Sequence, residues 1–244
     1  MVSKKTLTKL RKLNQKKYRE KYNLFSAEGV RCIDTFIKSG VIPVHCFASL
    51  DTKNYPFNVS LINPKELNKL SNQSSPSMVW AAFELPKPKK FVKQKINIAL
   101  DGINDPGNLG TIIRVCEWFG IKHLICSQDT VDCFNPKVVQ ASMGSLSKVF
   151  VSYLNLEKYF KQNQYCVVGA DTSGLDIYNT EIPKNVFYVF GNESHGISKN
   201  ISDLIDLKIK IPSSGISVVE SLNVASSTSI IVSEIYRRLN STQK

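Results

Sequence analysis

The sequence predicts an α/β protein: a mostly parallel sheet covered on both faces by helices, preceded by a smaller α/β module. Two observations carry this. From residue 96 onward, apolar runs rich in β-branched and aromatic residues at 96–100, 122–127, 148–153, 165–169, 186–190 and 207–211 alternate with segments of helical period, which is the pattern of a parallel sheet. Ahead of them, Leu85-Pro86-Lys87-Pro88-Lys89-Lys90 sets two prolines among lysines. Such a stretch continues neither a central strand nor a helix. The expected organisation is therefore a first domain over 1–88, a linker over 89–95 and a second domain over 96–244.

Taken in order, residues 3–21 read as one helix with Leu7, Leu10, Leu13 and Tyr18 along one side and lysines elsewhere. Ser26 is placed to cap a second helix through Lys38, stopped at Gly40. Residues 44–50 and 59–62 read as short strands, 63–70 as a helix opened by Asn63-Pro64, and 78–84 as a strand. In the second domain helices are expected at 109–119, 136–143, 155–162, 198–205 and 222–239, the last with Ile231, Ile235 and Leu239 at four-residue spacing.

The 244 residues, 42% of them hydrophobic, suffice for a substantial core. The formal net charge is +12 and is concentrated: Lys4, Lys5, Lys9, Arg11, Lys12, Lys16, Lys17, Arg19 and Lys21 stand against Glu20 alone, and Lys87, Lys89, Lys90, Lys93 and Lys95 cluster again. Clustered cations suit a polyanion, usually nucleic acid, bound through phosphate neutralisation, with Lys12, Lys16 and Lys17 as candidate contacts. A solvated helix face is the competing reading. The six cysteines include no CxxC pair and fit buried thiols of a reducing compartment. His123 and Cys126 have ligand-like spacing but no second pair nearby, so no metal is expected. With no apolar run of membrane length and no signal sequence, a cytoplasmic protein without membrane contact is expected.

Three segments carry polar residues beyond the ends of apolar strands, where open α/β sheets hold ligands. They are 100–110 leading to Arg114, the turn Gly191-Asn192-Glu193-Ser194-His195-Gly196, and Ile211-Pro212 leading to Ser221-Leu222-Asn223. Gly102-x4-Gly107 and Gly191-x4-Gly196 lack the Lys-Ser/Thr of a phosphate loop, and no dinucleotide fingerprint follows the first strand of the second half. Asn108 reads as a helix cap beside an anion site, and Arg114, one turn beyond Gly110, reads as a phosphate or ribose contact or as a surface arginine. Glu193 and His195 taken singly are explained by a solvated turn, and Asn223 by an N-cap of the last helix.

Together the three segments resemble the motifs of the SpoU/TrmH family of RNA ribose 2'-O-methyltransferases, in the SPOUT class. The likeness consists of Asn-x5-Arg at Asn108 and Arg114, Gly-Asn-Glu-x-x-Gly at 191–196, and Ile-Pro followed by Ser-Leu-Asn-Val at 211–212 and 221–224. It spans residues 96–239. The first 85 residues resemble the ribosomal-protein-like (L30e-type) RNA-binding module of many members, through 25–31 and 77–83. In the 211–222 loop, Gly215-Ile216-Ser217-Val218-Val219 makes the chain slightly longer than the family pattern.

The resemblance implies a C-terminal trefoil knot, against the general rarity of knots. It also implies S-adenosylmethionine as cofactor, held through Gly191, Asn192 and the backbone around Ile211 and Leu222. Arg114, Glu193 and Asn223, with Asn108 and Ser221, would form the catalytic pocket. The implied reaction is methylation of a ribose 2'-hydroxyl in structured RNA, ribosomal more than transfer RNA, without a metal, by a homodimer whose pocket draws on both subunits. A noncatalytic RNA-binding protein of ribosomal-protein type and a SPOUT base methyltransferase are the alternatives.

Overall fold

The computed structural model describes residues 2–49, 55–73, 75–183, 186–216 and 218–241. Leu50, of the expected 44–50 strand, and Ser217, of the 211–222 loop, lie outside the described residues. The chain forms two compact units, Met1–Pro88 with Asp132–Lys148, and Lys89–Val131 with Val149–Lys244.

In the first unit the expected 3–21 helix is broken. Helix α1 (Lys4–Arg11), capped by Ser3, passes through a 3-10 turn at Lys12–Asn14 to an extended Gln15 (φ −105°, ψ 130°), after which α2 (Lys16–Tyr22) starts anew. Leucines three apart lag the 3.6-residue turn, so a straight helix would rotate Leu13 roughly 120° away from Leu7. The tighter turn lets Leu7, Leu10 and Leu13 join one core with Leu24, Phe47, Leu67 and Trp80.

Ser26 does not cap a helix. It lies in strand β1 (Leu24–Glu28), and α3 (Val30–Lys38) begins only after Gly29, at φ 84°. All five β1 residues are buried, so no polar alternation marks the strand in the sequence. Then follow β2 (Pro43–Ala48), the two-residue β3 (Ser60–Leu61), α4 (Pro64–Asn68), capped by Asn63, and β4 (Val79–Glu84). The sheet order is β1-β4-β2-β3, with β4 antiparallel to both neighbours and β2 parallel to β3.

Beyond residue 95 strand and helix alternate as the sequence predicts: β5 (Asn97–Asp101), α5 (Pro106–Trp118), β6 (His123–Ser127), α6 (Pro136–Ser142), β7 (Phe150–Leu154), α7 (Leu156–Asn163), β8 (Cys166–Asp176), β9 (Val186–Gly191), α8 (Lys199–Ser202), β10 (Leu207–Lys210) and α9 (Val224–Ser241). Six of these strands form one sheet of order β10-β8-β9-β5-β6-β7, in which every pairing is parallel. The chain steps outward from β5 through β6 to β7 and then returns on the other side, so the order reverses between β5 and β9. That is where ligands sit in such sheets. The register sets Asp101 opposite Gly191 at the carboxyl ends of the two strands.

Two boundaries differ from expectation. The segment Asp132–Lys148, expected in the second domain, belongs to the first unit. Arg19, nearly fully buried, pairs with Asp132 at 2.5 Å, the Phe134 ring lies 4.8 Å from that of Phe25, and a side chain on Gly144 (φ 95°) would come within 2.5 Å of Thr35. The 89–95 stretch is irregular but anchored: Phe91 packs on Phe187 at 5.4 Å, and the Gln94 amide donates to the His123 carbonyl at 2.9 Å. This stretch is therefore held to the second unit rather than acting as a free tether.

Candidate active site

The loop after β5 is tied down at both ends of Gly102. Its N–H donates to Ser127 Oγ at 2.8 Å, and its carbonyl accepts from the Asn192 side chain at 2.6 Å. At φ 71° Gly102 occupies a conformation that favours glycine. The helix cap is Asp105, not Asn108: Asp105 Oδ1 accepts from the Asn108 backbone N–H at 2.8 Å, with Pro106 in the first turn. Asp-Pro is the N-cap signature that was available in the sequence. The substitution of roles leaves the Asn108 side chain free for other partners.

The turn after β9 is equally constrained. Asn192 and Gly196 exchange backbone hydrogen bonds of 2.8 and 2.9 Å, and a Cβ on Gly191 would lie 2.2 Å from the Gly196 carbonyl carbon, so no larger residue fits without displacing the turn. Asn192, whose amide nitrogen reaches Gly102, accepts the Ser194 and His195 backbone N–H groups through Oδ1, at 2.8 and 3.2 Å. Its side chain thus holds the two loops together. Buried Asp101 adds a second tie by accepting the Ser198 N–H at 2.7 Å. Asp101, Gly102 and Asp105 were absent from the sequence-based site.

These ties present Glu193 to Asn108. The Asn108 amide donates to Glu193 Oε1 at 2.7 Å, and Asn108 Oδ1 accepts from the Asn223 amide at 2.9 Å. Asn223 also caps α9, its Oδ1 accepting the N–H groups of Ala225 and Ser226 at 2.9 and 3.3 Å. The cap reading and the site reading of Asn223 are therefore both met, one at each end of its amide. One residue from each of the three loops enters a single chain of hydrogen bonds, and α9 packs on α5 behind it.

Other candidate residues stand outside this chain. Arg114 is exposed on α5 and has no hydrogen-bond or ion-pair partner among the described residues, and neither has exposed Ser221. Ile211 is half-buried and Leu222 exposed. Apart from Val219, no described residue from Pro212 to Leu222 enters a hydrogen bond, so the backbone groups there are unspent. Ile216 and Val218 are 88% and 95% exposed in the same loop. In the first unit, Lys12 and Lys17 lie over the Tyr18 ring at 5.1 and 5.0 Å, and Lys16 stands 4.0 Å from Glu20. Among the described residues no cluster of His, Cys, Asp and Glu is placed to hold a metal ion, and no helix is long and apolar enough to cross a membrane.

Comparison with known proteins agrees with this geometry. Residues 95–233 match the SpoU rRNA Methylase family, and residues 4–81 match the MRM3-like substrate binding domain. The 23S rRNA (guanosine(2553)-2'-O)-methyltransferase RlmP of Bacillus subtilis is 27% identical over 239 residues, covering 91% of this chain and 92% of that one. Among solved structures, a TrmH-family protein from Porphyromonas gingivalis is 33% identical with a TM-score of 0.82, covering 98% of this chain and 99% of the other. An AdoMet-bound rRNA methyltransferase from Sinorhizobium meliloti is 26% identical with a TM-score of 0.82, covering 98% and 97%. The family match contains all three loops that Asn108, Glu193 and Asn223 join, and on that ground the chain belongs to the SpoU family of RNA methyltransferases.

Proposed function

We propose that this enzyme transfers methyl from S-adenosylmethionine to a ribose 2'-hydroxyl of structured RNA, ribosomal rather than transfer RNA. The observation that carries the reading is the Glu193–Asn108–Asn223 chain of hydrogen bonds at the switch point of the sheet. The names of relatives support the substrate: the Bacillus protein acts on a 23S rRNA guanosine at the 2'-oxygen.

A 2'-hydroxyl is a weak nucleophile, so orientation must supply much of the rate. Glu193 receives Asn108 through Oε1, which leaves Oε2 to accept a hydrogen bond from the hydroxyl and draw off its proton. Asn108 fixes the carboxylate's position, and Asn223, itself held by the first turn of α9, fixes Asn108. Guanidinium groups stay protonated in proteins. Arg114, without a partner among the described residues, accordingly suits the phosphate beside the reacting ribose, and Ser221 suits the ribose edge.

Bound S-adenosylmethionine supplies a methyl already activated on a sulfonium, without need of a metal. The chain's residues fit that cofactor. Among the described residues of 212–222 other than Val219, the backbone groups are unspent, and the apolar side chains of Ile216 and Val218 stand exposed beside them. Gly191, Asn192 and the main chain at Ile211 and Leu222 would hold it there. The same reading includes a knotted passage of the C-terminal segment, a homodimer whose pocket draws on both subunits, a cytoplasmic location, and a division of labour in which residues 1–88 bind RNA and 96–244 perform the transfer. Tritiated donor with ribosomal or transfer RNA as acceptor tests the substrate. Labelling of ribosomal RNA is expected, and labelling of transfer RNA alone would contradict the assignment.

A further inference from the structure

The first unit carries a groove of about 570 Å³ that the transfer reaction does not use, lined among others by Ile42, Val44, His45, Phe47, Phe57 and Val59. Two aromatic stacks meet it. On β2, His45 and Phe47 share one face, as residues two apart in a strand do, with centroids 5.7 Å apart and planes at 21°. Phe47 continues onto Trp80 of β4 at 6.1 Å and 9°, so His45 is the outer rung of a three-ring ladder whose inner rungs are core. Phe57 lines the groove backed by Tyr55, at 6.2 Å and 22°.

The surroundings are cationic. Among the described residues no aspartate or glutamate lines the groove. Val2, which does, leads into α1 with Lys4, Lys5 and Lys9. Burial and then the charge of Lys9 hold His45 below the usual imidazole range, which keeps its ring neutral at pH 7. Lys9 also lies 4.7 Å over Tyr22. A planar apolar face with Lys9 acting on its outer ring, and no carboxylate among its described residues, suits a base attached to a phosphate chain better than a peptide segment, and the volume suits one nucleotide rather than a duplex.

We propose that this groove receives one unpaired base of the RNA, stacked on His45 as the next rung of the ladder and flanked by Phe57, while Lys9 and its neighbours on α1 meet the phosphates. This rests on the reading of the protein as an RNA methyltransferase and adds to it a single-strand recognition site. Removing the ring from a base–aromatic stack weakens binding by about five- to a hundredfold.

The test uses the full chain and a fluorescein-labelled eight-nucleotide oligoadenylate, followed by anisotropy. His45→Ala and Phe57→Ala should each weaken binding by about five- to a hundredfold. Phe57→Trp should bind as wild type does, and Phe57→Leu, which keeps apolar volume without a ring, should lose as much as Phe57→Ala. A leucine variant with wild-type affinity overturns the proposal. Should the alanine variants fail to fold, a 4-thiouridine octamer crosslinked to the wild-type chain decides: crosslinks at His45 or Phe57 support the groove, and crosslinks confined elsewhere overturn it. Wild-type protein that methylates ribosomal RNA while ignoring the octamer sinks the groove alone. Protein that does neither sinks the methyltransferase reading as well.

Discussion

Asn108 is the residue on which the three loops depend, since one end of its amide is given to Glu193 and the other to Asn223. Asn108→Asp would set a carboxylate 2.7 Å from Glu193 Oε1, where like charges repel and one must take a proton or move. A displacement of about 1 Å in a positioned group can cost on the order of a hundredfold. Asn108→Asp is therefore expected to lower kcat by about that much and to be worse than Asn108→Ala, with S-adenosylhomocysteine affinity by calorimetry serving as the control. A wild-type rate in Asn108→Ala would mean that the hydrogen bond to Glu193 has no part in positioning. Arg114→Ala tests a different role, because this side chain has no hydrogen-bond or ion-pair partner among the described residues to lose. It should lower kcat and kcat/KM together while cofactor affinity is unchanged, and turnover at the wild-type rate would remove Arg114 from the reaction. At single residues the sequence marked positions that the structure brings together, but not their contacts. Asn108, Glu193 and Asn223 stood in recognisable motifs, whereas Asp101 and the side chain of Asn192 act through backbone groups of a neighbouring loop, and such partners leave no local spacing to read.

Among the elements, α9 has the clearest electrostatic signature. Glu234, almost fully buried, receives Arg237 at 2.7 Å and Arg238 at 2.6 Å, and Arg238 continues to the carbonyls of Ile177 and Thr180. The hydrogen bonds from Arg237, opposed by burial and reinforced by Arg238, hold the Glu234 carboxyl down at about 2 against its usual 4.5. A depressed carboxyl contributes stability that is complete above its unfolded value and is lost as the pH falls through the folded one. Glu234→Gln should thus melt below wild type at pH 7, and the gap should close between pH 4.5 and about 2. A gap in Tm that stays constant over that interval would mean that the two arginines do not stabilise the ionised carboxyl. Helices and strands of the parallel sheet were legible because their periods differ and each has its own flanking breaker. Strand β1 was not, since LFSAE is buried on both faces and Ser26 imitates a cap. The broken first helix was hidden for a related reason: three-residue leucine spacing fits a helical pattern read loosely, and only the demand that all three leucines reach one core forces the 3-10 turn.

Over the whole molecule, the division into two units was legible from the Pro-Lys stretch, but the membership of Asp132–Lys148 was not, because hydrophobic periodicity says that α6 buries a face and not which core receives it. The basic charge is the property that sequence and structure describe alike. Lys12, Lys16 and Lys17 are exposed on the first unit, Lys16 partly answered by Glu20. Their replacement by Gln should raise the apparent KM for RNA and flatten the slope of log K against log salt by about 0.7 to 0.9 for each phosphate left unneutralised. An unaltered slope and KM would make this a solvated helix face. The proposed transfer to a ribose oxygen, with Asn108, Glu193 and Asn223 as its positioning chain, has its sharpest test in the alkali stability of the product. Ribosomal RNA labelled by the wild-type enzyme with methyl-tritiated donor is digested in alkali, which cleaves wherever a 2'-hydroxyl is free. The tritium is expected in an alkali-resistant dinucleotide. Tritium released in mononucleotides would place the methyl on a base and rule out transfer to the ribose.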